Sequence, residues 1–227
     1  MKASRGAKCL YNGQLLENKV RERLKCLYYD GFPIELGKKK GAAENGPDIS
    51  MVVGMRHTAM EVKKRAFECG GRTFKMHQGN LILPLDKKYD LFRSLLPRNF
   101  SPYNGRIPKC FFTKSIKDWT LEKNSFKGCY IPVNDSYAIA NYYSQQGSDY
   151  IYIENYGLYH TGYDVLGLDV PLIKCKCRFR IRCKQYRTSS LPSSVQIAFT
   201  IIKKTLVKSP YDLFDDKRLP LRIWKIL

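Results

Sequence analysis

The chain has 227 residues, and its contents of 44% hydrophobic and 13% aromatic residues exclude a disordered chain. Its 40 lysines and arginines outnumber its 20 aspartates and glutamates, which gives a formal net charge of +20 at pH 7. Such an excess of positive charge favours a polyanionic partner. Nucleic acid is favoured over a membrane, because no long uncharged apolar stretch is present.

The first residues and the cysteines indicate the compartment. Residues 1–5 are polar and basic and do not begin an apolar secretion signal. The eight cysteines include no Cys-x-x-Cys pair, so we interpret them as reduced thiols rather than as zinc ligands or disulfides. We therefore expect an intracellular protein of the cytoplasm or nucleus that is not secreted.

Helical and extended patterns alternate along the chain. Apolar residues recur at Leu16, Val20, Leu24 and Leu27, which is the spacing of one helix face. Short alternating runs bounded by glycine and asparagine indicate strands instead. The predicted elements are a helix at 12–29, a strand at 32–36, a hairpin of 48–53 and 58–64, helices at 86–96 and 135–146, and strands at 149–162, 172–186 and 195–202.

Three charged residues occupy the predicted hairpin. Strand alternation places Glu61 and Lys63 on one face, while Met60 and Val62 point to the core. Asp48 begins the preceding strand, which the turn folds back along its neighbour. Two carboxylates beside a lysine suit Mg²⁺, because this ion accepts one or two carboxylates and keeps several waters. The alternative is a solvated face that carries an ordinary Glu–Lys ion pair.

The hairpin also carries a family motif. The segment Gly46-Pro47-Asp48, followed after twelve residues by Glu61-Val62-Lys63, resembles the motif of the PD-(D/E)xK nuclease superfamily. The resemblance implies that Asp48 and Glu61 ligate Mg²⁺, with Mn²⁺ able to substitute, and that Lys63 assists the attacking water.

The resemblance extends to one auxiliary acid and to the fold. The superfamily often adds an acid on the first helix, and Glu17 is the candidate here, while Gln78 on the next extended segment is a candidate for positioning the lysine or the substrate. The family core of helix, three strands, helix and strand implies an α/β fold. We expect a restriction endonuclease-like core, with a central mixed β-sheet flanked by helices and β-rich C-terminal elaborations.

These expectations define the domain organisation. Residues 1–227 form a single nuclease domain, in which 12–112 is the catalytic core and 130–227 is a basic β-rich elaboration that binds nucleic acid. The interval between Lys63 and the helix at 86–96 is longer and more strand-like than in the simplest members of the superfamily.

One predicted strand has a row of cations on one face and cysteine, phenylalanine and isoleucine on the other. Like charges at this density repel unless phosphates neutralise them, which favours contact with nucleic acid. The alternative is an edge strand whose lysines prevent sheet-to-sheet association. The cations are Lys174, Lys176, Arg178, Arg180, Arg182 and Lys184. Further candidate phosphate contacts are Lys38, Lys39 and Lys40 in the loop before Asp48, and Arg65 after the hairpin.

Together these features predict a Mg²⁺-dependent deoxyribonuclease that hydrolyses phosphodiester bonds in DNA, an endonuclease of restriction or resolvase type. Double-stranded DNA is the expected partner and a membrane is not. Cutting both strands with a single site would favour a homodimer. Two alternatives stay open: a non-catalytic nucleic-acid-binding protein in which the hairpin acids are incidental, and an RNA-directed nuclease of the same superfamily.

Overall fold

The computed structural model describes residues 5–38, 46–77, 80–96, 100, 129–183 and 194–225. The chain divides into two compact units. Unit 1 comprises Met1–Phe67, Ile139–Cys175 and Thr205–Leu227, and unit 2 comprises Glu68–Ala138 and Lys176–Lys204. The chain therefore leaves unit 1 twice to build unit 2.

Unit 1 contains a seven-stranded sheet with the order β12–β1–β2–β3–β4–β8–β9. Its neighbouring strands are antiparallel except for β4 and β8, which run parallel. The strands are β1 (Leu27–Tyr29), β2 (Phe32–Leu36), β3 (Ile49–Val53), β4 (Arg56–Lys63), β8 (Tyr150–Ile153), β9 (Gly157–His160) and β12 (Ile223–Lys225).

Helix α1 (Arg5–Lys25) packs against this sheet. Its buried side chains Leu16, Val20 and Leu24 follow the predicted spacing and share one core with Met60 and Val62 of β4. The helix ends at Lys25, before the predicted end at residue 29, because the next residues pair as β1.

Helix α3 (Ala138–Ser144) precedes β8 along the chain. A carboxylate at the start of β8 ties this strand to β4, since Asp149 accepts hydrogen bonds from the Thr58 hydroxyl at 2.9 Å and the Ala59 amide at 3.0 Å. Strand β8 is buried on both faces, as expected for an interior strand next to a parallel neighbour.

Unit 2 contains a five-stranded sheet with the order β6–β5–β11–β10–β7 and helix α2 (Asp90–Leu95). Phe92 of α2 packs against Phe74 and Phe179 of the sheet, with ring centroids 5.9 and 5.6 Å away. The strands are β5 (Glu68–His77), β6 (Asn80–Ile82), β7 (Cys129–Val133), β10 (Cys175–Cys183) and β11 (Ser194–Leu206).

The predicted α/β fold class with a restriction endonuclease-like core is wrong. The protein is mostly β, with two strongly curled sheets of seven and five strands and three α-helices among the described residues. The prediction overestimated the helical content. The segment predicted as a helix at 86–96 yields six α-helical residues and that at 135–146 yields seven, too few to form the covering layers of an α/β fold.

Candidate metal and active site

The hairpin of β3 and β4 brings two carboxylates face to face. The strands pair with Ile49 opposite Met60, so continuing the register by one residue places Asp48 opposite Glu61. Side chains at opposed positions project from the same face, with their Cβ atoms about 4.5–5.5 Å apart. The two acids, one on each strand of the hairpin, are therefore neighbours in the sheet.

Lys63 lies between these carboxylates. Its Nζ atom is 3.2 Å from Oδ2 of Asp48 and forms an ion pair with Oε1 of Glu61. The same Asp48 oxygen accepts the backbone N–H of Val62 at 2.9 Å, which fixes the aspartate against β4. The cluster has a formal charge of −1, so it retains net attraction for a cation.

Burial sets the electrostatics of this cluster. Glu61 is only 7% exposed. Its burial raises the pKa of its carboxyl, Lys63 opposes that rise, and the nearby Asp48 carboxylate adds to it, so that the net pKa is raised. Burial by itself lowers the pKa of Lys63, but the two carboxylates outweigh it and raise the pKa above its usual value. Lys63 is therefore an ammonium at neutral pH.

An aromatic ring from a distant part of the sequence completes the surroundings of Lys63. The buried Tyr143 of α3 places its ring centroid 5.7 Å from Nζ of Lys63, within the range of a cation–π contact. On the other side of β4, Ile151 of β8 lies beside Glu61. Sequence reasoning missed both, because no local pattern links residues near 150 to the hairpin.

Glu61 and Lys63 lie on the same face of β4, as predicted, and Met60 and Val62 are buried in the core on the other. The face that carries Glu61 is not a fully solvated surface, because Ala59 and Glu61 are buried as well. The alternative of an ordinary exposed Glu–Lys pair is therefore disfavoured.

The other residues predicted near the site are placed as follows. Glu17 is half-buried on α1, the helix that packs against β2 and β4. Lys38 is exposed just after β2. Arg65 is exposed in the bend after β4, beyond the last residue of the strand. Gln78, Lys39, Lys40 and Lys184 lie outside the described residues.

The predicted row of cations belongs to β10, apart from Lys174, which is exposed one residue before the strand. Lys176 is exposed, Arg178 and Arg180 are half-buried and Arg182 is exposed, while the intervening side chains are buried. Strand β10 lies between β11 and β7 in the sheet, so the alternative that its charges protect an edge strand is wrong.

Comparison with protein-family models, curated proteins and solved structures finds no match. Among the described residues, no group of three or more histidine, cysteine, aspartate or glutamate side chains is arranged to hold a metal. No described helix is long and apolar enough to cross a membrane. The identification of the site therefore rests on its own geometry and on the motif.

The Asp48–Glu61 pair fits Mg²⁺ on the chemistry of its donors. This ion takes oxygen ligands, needs only one or two carboxylates and keeps several waters. Burial is the largest cause of the raised pKa of Glu61, and repulsion from the neighbouring Asp48 carboxylate raises it further, as expected when two acids share a site. A divalent cation would remove that repulsion by neutralising both carboxylates.

Proposed function

We propose that the hairpin site of unit 1 is the active centre of a metal-dependent nuclease that hydrolyses phosphodiester bonds in DNA. The observation that carries the proposal is the convergence of Asp48, Glu61 and Lys63, three residues of a PD-(D/E)xK-like motif, in one partly buried cluster.

In this proposal Asp48 and Glu61 hold Mg²⁺ or Mn²⁺. When bound, the ion supplies positive charge that favours nucleophilic attack on a phosphodiester. Because Glu61 must be ionised to act as a ligand, its raised pKa makes cation binding improve as the pH rises. The Val62 amide keeps Asp48 oriented for this task.

Lys63 acts in this proposal as a charged hydrogen-bond donor. Its raised pKa argues against a neutral amine that removes a proton, and favours an ammonium that orients the attacking water or neutralises a phosphate oxygen. By pairing with both carboxylates, Lys63 also reduces the repulsion between them. Glu17 remains the candidate auxiliary acid.

The substrate assignment rests on charge. The formal net charge of +20 and the cations of β10 support a nucleic-acid partner, and duplex DNA is the first substrate to test. Hydrolysis of both strands by one site per chain would favour a homodimer.

The deciding experiment incubates supercoiled plasmid with the protein and Mg²⁺, with Mn²⁺ in a parallel reaction. Wild type should nick or linearise the plasmid, and Asp48→Asn, Glu61→Gln and Lys63→Met should abolish cleavage while DNA binding persists. Lys64→Met is the matched control, because Lys64 is the next residue and pairs with Glu154 outside the cluster. Undiminished cleavage by both Glu61→Gln and Lys63→Met would rule out this site.

The second candidate function is a nucleic-acid-binding protein without catalysis. It is favoured by the contacts of Lys63, whose ammonium already pairs with both carboxylates. A shift in plasmid mobility without any cleavage, in Mg²⁺ and in Mn²⁺, would support this candidate. Cleavage of RNA alone would identify an RNA-directed nuclease instead.

A further inference from the structure

The two faces of the unit 2 sheet differ in what they carry. On one face, Phe74, Phe179 and Phe199 pack together, and Phe179 also stacks on Phe92 of α2. Because strand side chains alternate, the neighbours of these phenylalanines project from the opposite face. On that face β10 presents Lys176, Arg178, Arg180 and Arg182, and β5 adds Lys75, which is exposed. We call this the basic face.

The basic face has far more positive than negative charge. Glu68 pairs with Arg180 and lies 3.8 Å from Arg182, so one carboxylate serves two arginines. Lys176 and Arg178 have no carboxylate partner among the described residues. The cations of this row repel one another unless anions neutralise them, so a phosphate backbone is a fitting ligand.

An exposed aromatic ring lies among these cations. Tyr130 of β7 pairs with Arg180 across the strands and therefore shares its face. Tyr130 is 43% exposed. The guanidinium carbon of Arg178 is 3.8 Å from the centroid of the Tyr130 ring, which is a close cation–π contact. The ring and the guanidinium together form a flat, charged surface.

The breadth of the sheet favours a single strand over base readout in a duplex. Five strands spaced about 4.8 Å apart extend over about 19 Å, whereas the DNA major groove is about 12 Å wide. The sheet face therefore cannot enter the groove to reach bases. A single strand instead exposes its bases, which can stack on an aromatic ring while the phosphates contact the cations.

We propose that the basic face of unit 2 binds single-stranded nucleic acid, with a base stacked on the Tyr130–Arg178 pair and the backbone held by Lys176, Arg180 and Arg182. This binding needs no metal and is independent of the hairpin site. It therefore holds whether or not unit 1 cleaves its substrate.

The test measures binding of fluorescein-labelled oligonucleotides to the full chain by anisotropy in EDTA, which prevents cleavage. The ligands are oligo(dT), oligo(U), an abasic oligomer and a duplex, all of equal length. Oligo(dT) or oligo(U) should bind about 5- to 140-fold more tightly than the abasic oligomer, as expected for stacking of one base at about 1–3 kcal/mol. The tighter of the two identifies DNA or RNA as the ligand.

Two substitutions separate stacking from charge. Tyr130→Ala should reduce the affinity for oligo(dT) to that for the abasic oligomer without changing the salt dependence, and Tyr130→Phe should retain the affinity. Arg182→Ala should instead reduce the slope of log K against log salt by about 0.7, the value for one phosphate contact on a single strand. Tyr163→Ala is the control, because Tyr163 is an 80% exposed tyrosine of unit 1.

Three results would overturn the proposal. They are equal affinity for oligo(dT), oligo(U) and the abasic oligomer, tighter binding of the duplex than of either single strand, and unchanged binding by Tyr130→Ala. Since Tyr130 lies on the exposed face of the sheet, its substitution by alanine leaves the core intact, and circular dichroism verifies folding.

Discussion

Replacing Lys63 by methionine tests the electrostatics of the site without reference to catalysis. The substitution keeps most of the side-chain volume and removes the ammonium that compensates Asp48 and Glu61. Removing one partner of a buried ion pair costs about 3–5 kcal/mol. The side chains of Lys63 and Asp48 keep 22% and 28% of their exposure, so solvent screens part of this loss. We therefore expect Lys63→Met to lower the free energy of unfolding by about 3 kcal/mol, near the lower end of this range, in EDTA at pH 7.

The adjacent lysine provides the control. Lys64 lies 3.7 Å from Glu154 in a pair whose side chains are 40% and 34% exposed, so Lys64→Met should change the free energy of unfolding by about 0–1 kcal/mol. Urea unfolding followed by circular dichroism measures both variants. Equal losses for the two lysines would refute the reasoning.

The same unfolding experiment is repeated with Mg²⁺. In Lys63→Met the carboxylates of Asp48 and Glu61 have no cationic partner, so Mg²⁺ should stabilise this variant more than wild type. A Mg²⁺ concentration 100-fold above the dissociation constant would raise the free energy of unfolding by about 2.7 kcal/mol. If Mg²⁺ does not change the urea midpoint of Lys63→Met, a cation site at this position is contradicted.

Three further predictions concern unit 1. Because Glu61 has a raised pKa, wild type should lose free energy of unfolding relative to Glu61→Gln as the pH rises above the ordinary value of 4.5, and the pH dependence of urea midpoints measures this. Asp149→Ala leaves two hydrogen-bond donors of β4 without their acceptor and should cost about 1–3 kcal/mol in the same assay. Gly157→Ala should be much more destabilising in thermal unfolding than Gly147→Ala, although both glycines have positive φ. A Cβ at Gly157 would lie 2.1 Å from the carbonyl oxygen of Tyr211, whereas one at Gly147 meets nothing within 4 Å.

Local features of the site could be predicted from the sequence. The period of two in β4 separates Glu61 and Lys63 from Met60 and Val62, and the short turn to β3 sets the register that brings Asp48 opposite Glu61. These relations depend only on residues that are close in the chain, so a single sequence contains them. The buried state of Glu61 was not predictable in this way, since β8 and α3 come from residues after 137.

The fold class failed for a related reason. Leu27 continues the apolar spacing of α1, so the predicted helix runs to residue 29, directly before Asp30-Gly31. Both turn residues have positive φ, at 46° and 84°, and they connect β1 to β2. Asp-Gly between apolar residues is a strong hairpin signal, and it was available in the sequence. The pairing of β4 with β8 and the assembly of β10 with β11 and β7 depend on contacts between distant segments, which periodicity does not specify.

The most direct test of the cation site is anomalous diffraction from crystals soaked in Mn²⁺. The account predicts a manganese peak in contact with the carboxylates of both Asp48 and Glu61, and no such peak in crystals of Glu61→Gln. A manganese peak only at other positions, or none in wild-type crystals at saturating Mn²⁺, would contradict it.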